Sequence, residues 1–438
     1  MSKVLLINPP APFLAYPNAA PHLGIGYLLS FLRENHIETD YLNLECAEPS
    51  GIELPEGYDY YGISSVSGQY YYAKRLLSQI RNRKLGRTII GGAHPSTMAE
   101  ECLNDGFDYV VKGYGEIAML KIINGKVAEG IIQGEFIENL DSLPFPAWED
   151  LLQSNYEVSY GENVAHMFSM RGCPYSCSYC SSGEIFGRRV GFRSISNVID
   201  EVKFLKEKYN IQRLYFFDPT FTIDRNRAIE LARALKEYDV NWTCETRVDR
   251  IDPQILEIFH DSGCNLISYG IETGSEDVYN HLGKQASMGL NRKAINYSHD
   301  AGIKVKAFLM GALPDDNWNT LDSFKNFISA NKPDNWLFST FIPFPGTEQW
   351  NEPEKFGIKI LCKDFRAYFN LGLNGRAPLN ISNKYLSRAE LKALRDDMLQ
   401  FLLREVPNPR VEKAIALFDK QKKRLLPYIE DMNQEFLF

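Results

Sequence analysis

Three cysteines lie within a stretch of eight residues, a spacing that suits an iron–sulfur cluster. They are Cys173, Cys177 and Cys180 in the segment RGCPYSCSYC. A [4Fe–4S] cube normally takes four thiolate ligands, one for each iron, and no fourth cysteine is close to this loop in the sequence. We therefore expect one iron to be open for a small-molecule ligand.

Two other interpretations of the cysteines are weaker. A zinc site would require a fourth cysteine or histidine at short spacing, and the nearest histidine, His166, precedes the loop on a predicted strand. A disulfide framework is disfavoured because the eight cysteines are irregularly spaced over 438 residues and no signal peptide is apparent. That usage indicates a reducing cytoplasm. Zinc stays as the alternative to the cluster.

The pattern CxxxCxxC, with Tyr179 directly before the last cysteine, resembles the cluster loop of the radical S-adenosylmethionine (SAM) enzymes. The resemblance implies that the open iron binds SAM through its amino and carboxylate groups. An electron from the cluster would cleave SAM into methionine and a 5′-deoxyadenosyl radical, which abstracts hydrogen from unactivated carbon. A reductant such as flavodoxin or ferredoxin would supply the electron.

Length and composition favour a large soluble enzyme. The chain has 44% apolar residues and a net charge of −8, which predicts two or three packed domains and disfavours a general nucleic-acid surface. No apolar run approaches the length of a membrane span. We expect a cytoplasmic enzyme that acts on a small molecule or a peptide.

Residues 161–350 predict an open parallel (β/α)6 partial barrel. Six apolar runs alternate with helical patterns: HMFSM, RLYFFD, NWTCET, LISYGIE, KVKAFLMG and WLFSTFI. The cysteine loop follows the first run, and parallel barrels place their chemistry at the carboxyl ends of the strands. Polar residues at the same level are SAM-contact candidates, although structural ion pairs are the alternative: Asp218, Glu245, Arg247 and Glu272.

Four further segments resemble one branch of the radical SAM enzymes, the branch with an N-terminal cobalamin-binding domain. They are FFDPTFT, GIETGSEDVYNHLGK, FLMGALPDD and FIPFPGTE. This resemblance implies that Asp218 receives the SAM amino group, that Arg247 lies near the SAM carboxylate and that Glu272 lies near the ribose. Tyr179 and Glu245 complete the set of expected SAM contacts.

Residues 1–135 predict a doubly wound, Rossmann-like α/β domain. Its five expected strands are VLLIN, TDYLNLE, YDYYGIS, TIIGG and FDYVVKG. A ligand of such a sheet binds at the carboxyl edge, and no GxGxxG follows the first strand, which disfavours NAD. The candidate ligand contacts at this edge are Asn8, Pro9, Gly62, Ser64, Ser65, Gly91, Gly92, His94, Gly113, Gly115 and Glu116.

Two of these loops, GGAHPS and GYGE, resemble turns of the cobalamin domain in the same branch, which implies that cobalamin is the ligand. The DxHxxG motif, whose histidine ligates cobalt in some other cobalamin proteins, does not occur. We therefore expect cobalt without an imidazole ligand, a state that favours low-valent cobalt. His94 is expected to be a turn residue near the cofactor.

The remaining segments have weaker signals. Residues 136–160, with LDSLPFPAWEDL, predict a linker between the two domains. Residues 351–438 predict a mainly helical region that shapes substrate access. One helix there opens at a capping box from Ser387 to Glu390, and its expected apolar face comprises Leu391, Leu394, Met398 and Phe401.

The resemblance implies a cobalamin-dependent methyltransferase acting on an unactivated carbon or on phosphinate phosphorus. One SAM would methylate cobalt, a second would be cleaved at the cluster, and the substrate radical would collect the methyl group. A cobalamin-dependent cyclisation or rearrangement, methylthiotransfer, and a noncatalytic cobalamin or redox sensor are the alternatives. Methylthiotransferases carry a second cluster on three N-terminal cysteines, whereas only Cys46 and Cys102 precede the linker.

Overall fold

A computed structural model describes residues 2–14, 20–152, 163–369, 377–413 and 415–416. Within these ranges the chain forms two six-stranded sheets in which every neighbouring pair of strands is parallel. The α/β fold class is therefore as predicted. None of the described helices is long and apolar enough to cross a membrane.

The first sheet has the order β2-β1-β3-β4-β5-β6 and is covered by helices on both faces. Its strands are β1 (Lys3–Asn8), β2 (Glu38–Asn43), β3 (Tyr60–Ser64), β4 (Arg87–Gly91), β5 (Tyr109–Lys112) and β6 (Gly130–Gln133). Its helices are α1 (Leu23–Glu34), α2 (Tyr70–Arg83), α3 (Ala93–Thr97), α4 (Ala99–Asn104) and α5 (Glu116–Ile123). The strand β6 was not predicted.

Strand β1 is almost continuously apolar because both of its faces are buried. Leu5 and Ile7 pack on the side of α2, whereas Val4 and Leu6 pack on the side of α1 and α5. Successive side chains of a strand point to opposite faces, so one short run contributes to two apolar cores.

The second sheet is an open half-barrel with the order β7-β10-β11-β12-β13-β14. These six strands are the six predicted runs, with β7 (Val164–Met167), β10 (Arg213–Phe216), β11 (Asn241–Thr246), β12 (Cys264–Glu272), β13 (Lys304–Gly311) and β14 (Asn335–Thr340). A short antiparallel hairpin, β8 (Met170–Arg171) and β9 (Gly191–Phe192), follows the first strand.

Helices between these strands include α8 (Ile195–Tyr209), α9 (Arg225–Lys236), α10 (Pro253–Asp261), α11 (Glu276–His281), α12 (Met288–Asp300) and α13 (Trp318–Asn331). Five of them begin at a polar side chain that accepts a hydrogen bond from the first turn: Ser194, Asp224, Asp252, Ser287 and Asn317. The helix starts are therefore encoded locally.

The predicted linker contains α6 (Trp148–Leu152) and packs into the half-barrel core, where the Trp148 indole donates to Glu201 Oε1 over 2.7 Å. Residues 153–160 of the linker lie outside the described ranges. Helix α7 (Ser182–Phe186) follows the cysteine loop.

The C-terminal region contains α14 (Glu348–Asn351), β15 (Ile358–Ile360), β16 (Ile381–Asn383) and α15 (Arg388–Glu405). The capping box from Ser387 to Glu390 is present. The buried face of α15 includes Leu391, Leu394 and Met398 as expected, but it continues through Leu402, while Phe401 is half-buried. This region also packs on the first sheet, since Phe365 contacts His94 with ring centroids 4.6 Å apart.

Candidate active site

The cysteine loop lies between β8 and α7, near the carboxyl end of the half-barrel sheet. Gly172 leads into it with φ of +89°, and a Cβ there would lie 1.9 Å from the Arg189 carbonyl oxygen, so only glycine fits. The Ser178 backbone N–H and hydroxyl both donate to the Leu282 carbonyl, over 3.2 and 3.1 Å. Gln349 donates to the Ser178 hydroxyl over 3.0 Å. The loop is thus fixed to two distant parts of the half-barrel.

The three thiols of the loop are free and reachable. Cys173 and Cys177 are partly buried, and Cys180 is exposed. Burial raises the pKa of Cys173 and of Cys177, because it disfavours the thiolate. A metal ligand must be deprotonated, so iron binding would have to overcome this burial. The chemistry of the donors fits a cluster, because three thiols within eight residues can each ligate one iron of a four-iron cube.

Arg247 places a positive charge beside the loop. Its guanidinium lies 3.9 Å from Cys177 Sγ and stacks over the Tyr175 ring, 3.8 Å from the centroid. It also donates to both carboxylate oxygens of Asp249 and to the Lys284 carbonyl. The charge is therefore held in place before any anionic ligand arrives.

Glu272 joins the end of β12 to the cysteine loop. Its carboxylate accepts from the Tyr179 hydroxyl over 3.1 Å and pairs with Lys284 Nζ over 2.5 Å. The Glu272 backbone has φ of +66°, an uncommon conformation for a residue other than glycine. Tyr179 and Glu272, two expected SAM contacts, thus lie together at the loop.

Asp218 lies buried beneath the turn that precedes the cysteine loop. Its side chain is completely buried and accepts from the backbone N–H groups of Ser169 and Met170, over 2.8 and 3.1 Å. Burial raises the pKa of Asp218 to about 6. Its carboxylate therefore positions the turn before the cysteine loop, and its expected contact with the SAM amino group stays a prediction.

Glu245 lies on β11 and faces the Tyr215 hydroxyl, which donates to it over 2.6 Å. Burial raises the pKa of Glu245. Glu245 lies at the predicted strand end. Among the described residues its carboxylate is bonded to Tyr215 and not to a cysteine of the loop.

A cavity of about 360 Å³ lies between the carboxyl edge of the first sheet and the cysteine-loop side of the half-barrel. Seven of the predicted ligand contacts line it: Gly62, Ser64, Gly91, Gly92, Gly113, Gly115 and Glu116. The opposite wall consists mainly of apolar residues of the half-barrel: Phe168, Met170, Arg171, Ile185, Phe186 and Pro219.

The glycines let a flat ligand approach the backbone. Gly92 has φ of +102°, and a Cβ there would lie 2.9 Å from the Ser65 carbonyl oxygen. Gly113 also has positive φ, at +77°. A broad, mostly apolar macrocycle such as a corrin fits this cradle, because side chains would otherwise fill the edge of the sheet.

Comparison with known proteins identifies both halves of this site. The radical SAM superfamily profile matches residues 167–328, and the B12-binding domain profile matches residues 13–123. The chain is a cobalamin-dependent radical SAM enzyme. The cofactors of these domains are a [4Fe–4S] cluster, SAM and cobalamin, as predicted.

The enzyme is 25% identical to an uncharacterized methyltransferase of Pyrococcus horikoshii over 434 residues, covering 92% of this chain and 93% of that protein. It is also 25% identical to cytidylyl-2-hydroxyethylphosphonate methyltransferase of Streptomyces wedmorensis over 392 residues, covering 71% and 73%. The radical SAM methyltransferase TsrM of Kitasatospora setae shares the fold, with a TM-score of 0.68 and 15% identity over 92% of this chain and 89% of that one. The predicted class, a B12-dependent radical SAM methyltransferase, is confirmed by these similarities.

Three predicted cobalamin contacts of the enzyme do not line the cavity. Asn8 accepts from Gln69 Nε2 over 3.1 Å, and the Pro9 carbonyl accepts from the same nitrogen over 2.8 Å. The Ser65 hydroxyl donates to the Val66 carbonyl. These residues are occupied in holding the loops of the sheet edge, which the sequence pattern could not distinguish from contacting a ligand.

His94 is the fourth predicted contact outside the cavity wall. Its ring is completely buried against Tyr70, with centroids 4.0 Å apart, and Nδ1 lies 3.2 Å from Ser67 Oγ. Burial lowers the pKa of His94 to about 3. The enzyme therefore uses His94 in packing.

Two lining residues of the enzyme were missed. Arg171 pairs with Glu116 across the cavity wall over 2.7 Å. Its position directly before the glycine and cysteine of the loop is the feature of the sequence that could have identified it as a site residue. His22 lines the cavity from the residue before α1. Its segment, APHLG, matches no known motif.

Proposed function

We propose that the enzyme transfers a methyl group from cobalamin to an unactivated carbon, or to phosphinate phosphorus, of a small molecule or peptide. The observation that carries the proposal is the two-sided cavity. One wall is the glycine edge of the first sheet, and the other wall includes Met170 and Arg171, which lead directly into the cysteine loop. A methyl donor and a radical source would therefore be neighbours.

We assign a role to each residue of the site. Cys173, Cys177 and Cys180 hold the cluster, and the Arg247 guanidinium supplies the charge that a SAM carboxylate requires. Tyr179 and Glu272 orient the loop and lie near the SAM ribose. When bound, the cluster supplies the electron for SAM cleavage and the corrinoid supplies the methyl group.

Apolar side chains keep water out of the space between the two walls. Phe168, Ile185 and Phe186 line the cavity on the half-barrel side. Excluding water protects reactive species from side reactions. The hydrogen abstraction requires no general base in this proposal, because the radical derived from SAM performs it.

The proposal also includes the finer organisation of the protein. Residues 1–135 form the cobalamin domain, 136–160 the linker, 161–350 the radical SAM partial barrel and 351–438 a region that shapes substrate access. We place the enzyme in the cytoplasm with a flavodoxin or ferredoxin as its reductant, and with no general affinity for nucleic acid, in keeping with its net charge of −8.

The test begins with anaerobic reconstitution using iron, sulfide and hydroxocobalamin, followed by desalting and metal analysis. About four irons and one cobalt per chain are expected. Incubation with SAM, a reductant and a candidate methyl acceptor should then yield both 5′-deoxyadenosine and S-adenosylhomocysteine, and methyl-deuterated SAM should label the methylated acceptor. 5′-Deoxyadenosine without S-adenosylhomocysteine would indicate cyclisation or rearrangement, and iron without cobalt would remove the methyl-transfer proposal.

A further inference from the structure

His22 is a histidine in the wall of the corrinoid cavity. It directly precedes α1, and the same wall contains Gly24, Ile25 and Leu28 of that helix. Among the described residues that line the cavity it is the only histidine. An imidazole nitrogen is a good ligand for first-row transition metals, whereas the apolar and glycine residues around it are not.

The His22 ring has no hydrogen-bond or ion-pair partner among the residues that the structure describes. Its side chain does not cap α1. The two charged side chains of the wall, Glu116 and Arg171, are paired with each other, whereas the buried Tyr114 hydroxyl in the same wall also has no hydrogen-bond partner among the described residues. Two other histidines do pair with carboxylates, His281 with Asp315 and His299 with Asp334.

The ring is in the protonation state that a metal ligand needs. Burial lowers the pKa of His22 to about 4, so the imidazole is neutral near pH 7 and carries a lone pair. No acidic group contributes to this shift. A partly buried imidazole nitrogen without a hydrogen-bond partner lowers the stability of the fold unless a ligand or a water molecule binds it.

We propose that His22 is the axial nitrogen ligand of cobalt in the bound corrinoid. The inference rests on the corrinoid binding of the proposed function, but not on methyl transfer. It revises the sequence expectation of a cobalt without imidazole, because the absence of one known motif does not exclude a histidine that the fold brings to the same cavity. An axial donor of this kind would disfavour Co(I) relative to Co(II) and so tune the potential of the site.

The experiment uses cobinamide, a corrinoid without the nucleotide base, so that an axial nitrogen can come only from the protein. The full-length protein is loaded anaerobically, desalted, reduced to the Co(II) state and measured by electron paramagnetic resonance. The expected spectrum has each cobalt line split into a triplet by one ¹⁴N nucleus. Protein grown with ¹⁵N-labelled histidine should give a doublet, which tests the ligand without any substitution.

Variants then assign the nitrogen. His22→Ala should bind cobinamide but lose the splitting, and added imidazole should restore it. His36→Ala, an exposed histidine of the same domain, should keep the triplet. An unsplit wild-type spectrum, or a triplet that persists in His22→Ala, would overturn the proposal. Failure of the wild-type protein to retain any corrinoid would instead refute the proposed function.

Discussion

Arg171 and Glu116 form an ion pair that joins the half-barrel to the first sheet. Arg171 Nη1 lies 2.7 Å from Glu116 Oε1, and their side chains are only 11% and 5% exposed. The guanidinium also stacks over Tyr27, 4.6 Å from the ring centroid. Arg171 is two residues from Cys173, and Glu116 begins α5. One buried contact therefore connects the corrinoid cavity with the cluster loop.

Glu116→Gln is expected to destabilise the protein strongly. The substitution leaves a buried guanidinium without its carboxylate, and breaking such a pair typically costs about 3–5 kcal/mol. We expect a lower urea midpoint for the apo protein and weaker retention of hydroxocobalamin. The measurements are equilibrium unfolding and a corrinoid titration followed by absorption.

A matched control is Glu129→Gln, which removes an exposed partner of Arg87 at 3.5 Å in the same domain. Exposed pairs contribute about 0–1 kcal/mol, so this variant should resemble the wild type. The double variant Glu116→Gln, Arg171→Met should recover part of the lost stability, since no buried charge remains. Equal effects of Glu116→Gln and Glu129→Gln would contradict the proposed coupling of the two domains.

Cys173→Ala is expected to abolish cluster retention and the formation of 5′-deoxyadenosine, while corrinoid binding persists. The reason is that the three loop cysteines lie outside the lining of the corrinoid cavity. Iron, sulfide and cobalt are counted after reconstitution. Cys46→Ala, an exposed cysteine outside the loop, should keep both cofactors, and loss of cobalt along with iron in Cys173→Ala would show that loading is not modular.

Gly92→Ala is expected to weaken corrinoid binding and to destabilise the first domain by more than about 1 kcal/mol. The new Cβ would meet the Ser65 backbone at 2.9 Å, in a conformation with φ of +102°. Gly51→Ala, where no atom lies within 4 Å of the new Cβ, is the control. A Gly92→Ala protein with wild-type stability and corrinoid affinity would mean that this turn does not approach the ligand.

The stability of the apo protein should fall as the pH decreases from 6.5 towards 3, in part because of His94. Burial lowers the pKa of this histidine from 6.5 to about 3, so in that window the unfolded chain binds a proton that the folded chain excludes. The contribution of the neutral His94 ring to the free energy of unfolding is fully present above pH 6.5. As the pH falls below 6.5, this contribution decreases by at most about 1.4 kcal/mol per pH unit.

His94→Gln should flatten this dependence in urea unfolding at pH 7, 6 and 5. Ser67→Ala removes the partner of the ring but keeps the imidazole, so its dependence should stay as steep as that of the wild type. If the free energy of unfolding depends on pH equally steeply in His94→Gln and in the wild type, His94 is not the source of the pH dependence.

Strand positions were predictable because parallel strands covered on both sides are short, apolar and bounded by helix starts. The six runs of the half-barrel correspond to its six described strands for that reason. The missed strand, β6, is the four-residue segment GIIQ at the edge of its sheet. Such a short run, with no fully buried residue, resembles a loop in the sequence.

Site residues were most predictable where local spacing in the sequence brings them to the site. The glycine turns and the cysteine loop depend on local spacing, and the structure places them at the cavity and at the sheet end. For Asp218 the sequence shows that a carboxylate ends a strand, but not that it accepts a hydrogen bond from the backbone N–H of Ser169. Arg171 gains its role from Glu116, 55 positions away.

The contact between His94 and Phe365 has a consequence for synthesis on the ribosome. Translation at roughly 5–20 residues per second separates the emergence of these two rings by roughly 10–50 seconds. During that interval Tyr70, His94 and their aromatic neighbours lack the C-terminal cover that they have in the finished chain. Nascent chains thus expose an aromatic surface that promotes aggregation, and added chaperone should raise the soluble yield.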